Sequence, residues 1–237
     1  MIFFYQNMYY FIKYIINMNI NINNPIDSVI LYSRKLINIP YRWHKSNDKF
    51  TGDDKFWASN DKAVTVEYIK NEDKCIVCTG LINLMRRHLN LTIPGLNGNI
   101  EGQYKEFYEE FPGGTGAWYA YLNQKNRLEV LDINKKYPIG TLLIAPYQND
   151  DMDQGHVAVI IDNINNDINI INNQPNEMNN ILHQNIIHST ATINYYFSDN
   201  FKNHGCVKIQ PFIEIHSLHQ KGYFKYVCFP ENWLLIN

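Results

Sequence analysis

The chain has 237 residues, 45% of them hydrophobic and 14% aromatic, and its 21 basic and 23 acidic residues leave a net charge of −2. A chain of this length buries roughly 70–75% of its unfolded surface, so wholesale disorder, a collagen-like repeat and a disulfide scaffold are all excluded. The near-neutral balance also lacks the basic excess that captures nucleic acid, and no nucleic-acid partner is expected.

Residues 1–24 read as an apolar N-terminal arm or helix, and residues 25–237 as a single domain. The stretch MIFFYQNMYYFIKYIINMNI is the most apolar in the chain, but Gln6, Asn7, Lys13 and Asn17 interrupt it. It matches neither a spanning helix of about 20 apolar residues nor a signal peptide with a basic start and a small-residue cleavage site. No stable membrane insertion is expected. The compartment stays unassigned, with a reducing, cytoplasmic one favoured by the small number of cysteines.

Asn24, Pro25 and Asp27 mark a helix start: a capping side chain, a residue suited to the first helical position and an acid in the positive first turn. Ile26, Val29, Ile30, Ser33, Leu36 and Ile37 then recur at helical spacing, up to the stop at Ile39-Pro40. Residues 45–62 read as a surface loop. A second helix is predicted over 78–90, with Cys78, Leu81, Ile82, Met85 and Leu89 on one face and Arg86, Arg87 and His88 supplying positive charge to its last turn. Further helices are predicted over 103–111 and 117–127, separated by the turn Pro112-Gly113-Gly114-Thr115-Gly116. That turn lacks the lysine and hydroxyl residue of a phosphate loop.

From about residue 139 the period changes. Residues 139–146, 156–161, 168–171, 186–193, 206–210 and 223–229 are short and rich in β-branched and aromatic residues, with Asn, Asp, Gly or Pro between them. Helices first and strands later predict an α+β fold with helices packed on a mostly antiparallel sheet. The Asn-rich stretch 172–180 reads as a long hairpin loop.

Chemistry gathers around a cysteine and two histidines. Cys78 opens a predicted helix, where the dipole and unpaired N–H groups favour a thiolate and can hold an oxyanion, and Thr79 and Gly80 after it leave room for a substrate carbonyl. His156 begins the strand Gly155-His156-Val157-Ala158-Val159 and shares its face with Ala158 and Ile160, an apolar setting suited to a general base. His188, ahead of Ser189-Thr190-Ala191, is placed to orient that ring; His183, five residues earlier, is the alternative if the register differs. Taken singly, Cys78 also reads as a buried structural thiol, His156 as a strand-end histidine and Tyr41 as a packing aromatic. Cys75-x-x-Cys78 fits half a zinc site or a redox pair, but Cys206 and Cys228 lie 22 apart and form no second close pair. No cofactor and no metal are expected.

The motifs resemble those of the NlpC/P60 cysteine peptidases. Cys78-Thr79-Gly80-Leu81 is similar to the nucleophile motif, and Ile139-Gly140-Thr141-Leu142-Leu143 to the strand that follows it. Gly155-His156-Val157-Ala158-Val159 is similar to the histidine strand, Ile187-His188-Ser189 to the strand of the third catalytic residue, and Ile39-Pro40-Tyr41-Arg42-Trp43 to the segment whose tyrosine lies beside the site. The resemblance spans about residues 26–195 and keeps the family's order of Tyr, Cys, His, His. It implies a papain-like fold and hydrolysis of a peptide or peptidoglycan-type amide through a thioester, with Cys78 as nucleophile, His156 as base, His188 as orienting group, and Tyr41, Thr79 and Gly80 lining the substrate. Val77 stands where the family has an aspartate that holds a substrate amino group. An acyltransferase, an intracellular protease and an inactive or zinc-stabilised binding module are the alternatives. The expected partner is a peptide or acyl substrate, and the oligomeric state is not legible.

Overall fold

The computed structural model describes residues 24–41, 63–102, 105–106, 112–146, 155–163, 180–191, 205–218 and 223–235. The N-terminal arm, the loop at 45–62, most of the helix predicted over 103–111, the strand predicted over 168–171 and nearly all of the Asn-rich stretch lie outside those residues.

Helix α1 (Pro25–Lys35) begins as its sequence predicts: the Asn24 side chain accepts the Ile26 N–H at 3.0 Å, and Pro25 occupies the first turn. Its inner face buries Val29, Ile30 and Ser33, and Tyr32 as well. It stops short of Pro40. Asn38 turns into the left-handed region (φ 70°), and residues 38–41 then run beside a strand, with Asn38 N–H on the Val207 carbonyl and Tyr41 N–H on the Gly205 carbonyl. A short helix α2 (Val66–Asn71) follows; its cap is the Thr65 hydroxyl, which accepts the Tyr68 N–H.

Helix α3 (Cys78–His88) carries the cysteine at its first position. The apolar stripe predicted for it is buried, but so are Asn83 and Arg86. Arg86 brings its charge to the last turn, as predicted, from a fully buried position. Its guanidinium donates to the carbonyls of Thr92 and Trp233 and to the Tyr121 hydroxyl, each of which replaces hydration lost on burial. Helix α4 (Thr115–Asn123) begins after Gly114, so Thr115 and Gly116 belong to the helix and not to the turn.

Among the described residues the strands are β1 (Glu129–Val130), β2 (Leu142–Ala145), β3 (His156–Asn163), β4 (Gln184–Ala191), β5 (Gly205–Pro211) and β6 (Tyr226–Cys228). They form one six-stranded sheet in the order β1-β6-β2-β3-β4-β5, antiparallel throughout. The molecule is thus α+β, as its sequence pattern predicts. Helix α5 (Phe212–Leu218) follows β5 directly, and α6 (Pro230–Trp233) follows β6.

Period-two alternation divides the core between the two faces of the sheet. Leu142, Ile144, Val157, Val159, Ile161 and Ile187 face the helix layer with the stripe of α3. Leu143, Ala145, Ala158, Ile160 and Ile186 face the other way, toward Phe212 and Ile215 of α5 and Phe224. Helix α3 packs on β3, β4 and α1, and α5 packs on β4 and β5. Among the described residues no helix is long and apolar enough to cross a membrane.

Candidate active site

The cysteine is placed by the turn that leads into α3. Ile76 donates its N–H to the Pro40 carbonyl at 2.9 Å and accepts the Ser189 hydroxyl at 2.6 Å, so the segment carrying Tyr41 and strand β4 hold the residue two places before Cys78 from both sides. Val77 then supplies the helix N-cap without a side-chain bond, and Cys78, Thr79 and Gly80 form the buried first turn. The Cys78 sulfur meets the backbone N–H groups of Thr79, of Val157 in β3 and of Cys78 itself.

Burial decides the state of this thiol. It pushes Cys78 up to about 11, and the three N–H groups pull it back only in part. The direction is opposite to the thiolate expected from a helix N-terminus, because desolvation in an apolar turn outweighs the dipole. At neutral pH the thiol keeps its proton, and a base has to remove it during attack.

The histidines are placed by register. In β3–β4, Val159 pairs with Ile187; extended to the strand end, this register sets His156 opposite Thr190 and makes His188 its diagonal neighbour on the same face. The rings meet there, with His156 Nε2 and His188 Nδ1 2.9 Å apart and the ring planes at 74°. His188 is wholly buried and His156 is 8% exposed, its ring packed against those of Tyr223 and Phe224. His183 ends a one-turn 3-10 helix just before β4 and belongs to the opposite end of that strand.

The constellation continues past the histidines. His188 stands opposite Lys208 in β5, so Gln210 is again a diagonal same-face neighbour, and its Oε1 lies 3.1 Å from His188 Nε2. Gln210 Nε2 in turn donates to Glu214 Oε2 of α5 at 2.9 Å. The row His156, His188, Gln210 and Glu214 crosses three strands and ends on a helix. Gln210 and Glu214 escape a reading of the sequence because their link to His188 depends on the pairing of β4 with β5, which no local pattern encodes.

The two halves of the site reach β3 from opposite sides. The alternation turns Val157 toward α3 and the His156 ring toward α5, and the thiol meets the strand through the N–H of the residue that follows His156. Thr79 and Gly80 lie in the cysteine's own helical turn, and Tyr41 follows Pro40, whose carbonyl holds Ile76; all three are buried. The four cysteines are free thiols, Cys75 and Cys206 half-buried and Cys78 and Cys228 buried. Among the described residues no group of three or more His, Cys, Asp or Glu side chains is arranged to hold a metal ion. No protein-family profile and no curated protein matches the chain.

Proposed function

We propose that the chain is a papain-like cysteine hydrolase of NlpC/P60 type that cleaves an amide bond. The observation that carries this reading is the buried His156–His188 pair at the end of β3, the strand whose next N–H, that of Val157, touches the Cys78 sulfur. Cys78 attacks the acyl carbon while His156, at the first position of β3, takes its proton through one bridging water across the strand end, so an S–C bond forms. His156 then protonates the departing amine as the C–N bond breaks, leaving a thioester. Water, deprotonated by His156, hydrolyses the thioester and restores the thiol. The N–H groups of Cys78 and Thr79 at the start of α3 are the nearest donors for the oxyanion. Val77, standing where the family has an aspartate, removes a carboxylate that would bind a free amino group, and it favours a substrate other than the amino-terminal peptides of bacterial walls. Transfer of the acyl group to an amine or alcohol uses the same first step.

The depth of Cys78 supports a second reading, a binding module in which the thiol is structural: it is 5% exposed and its proton is held up to about 11. Acylation separates the two. Treatment of the folded chain with a p-nitrophenyl ester, followed by peptide mapping, is expected to leave an acyl group on Cys78 and none on Cys206, and His156→Ala is expected to slow the acylation of Cys78 at least about tenfold. Absence of an acyl group on Cys78 sinks the hydrolase.

A further inference from the structure

We infer that Gln210 and Glu214 are positioning residues that set the proton arrangement of both histidines and thereby present Nδ1 of His156 as the basic nitrogen. The inference rests on the hydrolase reading only for its catalytic consequence; the proton arrangement follows from the contacts themselves.

The argument starts at the surface and runs inward. A carboxylate only accepts hydrogen bonds, so the 2.9 Å contact between Glu214 Oε2 and Gln210 must be made by the amide NH2 group. This orients the Gln210 amide and leaves its oxygen facing His188 Nε2 at 3.1 Å. An amide oxygen also only accepts, so His188 carries its proton on Nε2. In the neutral ring the lone pair is then on Nδ1, the atom 2.9 Å from His156 Nε2. His156 must therefore donate from Nε2, and its own lone pair lies on Nδ1. Each link leaves the next a single choice, and the anchor is an acceptor that cannot reverse its role.

The chemical consequence follows from the base's cycle. When His156 takes the thiol proton at Nδ1 it becomes a cation, and its Nε2–H bond to His188 strengthens. His188 stays neutral through the step, held by an amide whose far end rests on a negative charge. Lys208 stands opposite His188 in β5 and His216 lies against Phe212 in α5, and Glu214 brings a negative charge to the end of this row. A glutamine without the carboxylate would be free to turn its NH2 group toward His188 Nε2, which would move the His188 proton to Nδ1 and reverse the His156 tautomer.

The test uses the full chain labelled with 15N in histidine, read by NMR at pH 8, beside iodoacetamide labelling of Cys78. In the wild type both rings are expected in the Nε2–H form. Glu214→Gln is expected to bring His188 partly into the Nδ1–H form and to slow Cys78 labelling roughly three- to tenfold, the net size of one ordinary hydrogen bond. Gln210→Glu in the Glu214→Gln background puts an acceptor-only group directly on His188 Nε2, and it is expected to restore the wild-type tautomers and rate. Unchanged tautomers in Glu214→Gln, or no restoration by the second substitution, overturn the inference. Failure of a p-nitrophenyl ester to acylate Cys78 in the wild type would count against the hydrolase alone, since the tautomers are read without reference to the thiol.

Discussion

Ser189→Ala tests how the cysteine turn is held. The Ser189 hydroxyl donates to the Ile76 carbonyl at 2.6 Å, and both residues are buried, so removing one oxygen leaves a carbonyl without its donor where water cannot replace it. An orphaned buried acceptor costs about 1–3 kcal/mol, and the middle of that range, about 2 kcal/mol, is the expected loss. For a chain of this length that lowers Tm by roughly 4–8 °C. Ser217→Ala is the matched control. The Ser217 hydroxyl makes the same bond to the Ile213 carbonyl at 2.7 Å, but on the exposed side of α5, where water takes its place. Its loss is expected to stay within about 0.5 kcal/mol. Urea unfolding of the two variants and the wild type, compared at equal slopes, reads the difference. Equal midpoints for the two variants would refute the reasoning, which rests on the buried Ile76 carbonyl losing a donor from a distant strand while the Ile213 carbonyl loses only a local, exposed one. Ser189→Ala should also slow labelling of Cys78, which lies two residues beyond the carbonyl.

Gly113→Ala should be costlier than Gly102→Ala, although both glycines have left-handed backbones, φ +76° and +93°. A Cβ on Gly113 runs into the Asn83 side chain, which is already committed to the Gly113 carbonyl and the Trp118 indole N–H, whereas a Cβ on Gly102 meets open space. The Gly102 variant should lose only the left-handed strain, about 1–2 kcal/mol, and equal losses in urea would sink the packing argument. A third expectation concerns alkaline pH. Burial pushes the Cys228 thiol from 9.0 up to about 12, so the folded state holds a proton that the unfolded chain releases. The stability this supplies is complete below pH 9 and drains away as pH rises toward 12. In Cys228→Ala the fall of the urea midpoint between pH 9 and 12 should be shallower than in the wild type, and a parallel fall would show that this thiol is not involved.

Much of the architecture was legible because its signals are local. The cap at Asn24, the stripe of α3, and the strands around residues 142–145, 156–163 and 205–211 follow from turn chemistry and side-chain period. Helices α2, α5 and α6 have four to seven residues, too short for a periodic pattern to stand out, and β1 has two. The apolar run predicts a last strand over 223–229, and the strand that forms is the shorter Tyr226–Cys228. The three basic residues predicted for the last turn of α3 are there, but the burial of Arg86 depends on the chain end, which returns to offer the Trp233 carbonyl.

The candidate site divides in the same way. From the sequence alone come the residue types and their order: a cysteine at a helix start, a histidine at a strand start and a second histidine before a run of small residues. That much is encoded within a few positions along the chain. Tertiary structure decided that His188 and not His183 meets His156, that Gln210 and Glu214 extend the row, and that the Cys78 thiol is held protonated and not as a thiolate. Each of these depends on which strand lies beside which, in what register, and on how much water is excluded where they meet. Register and desolvation are set by contacts between segments far apart in sequence, so no single segment carries them.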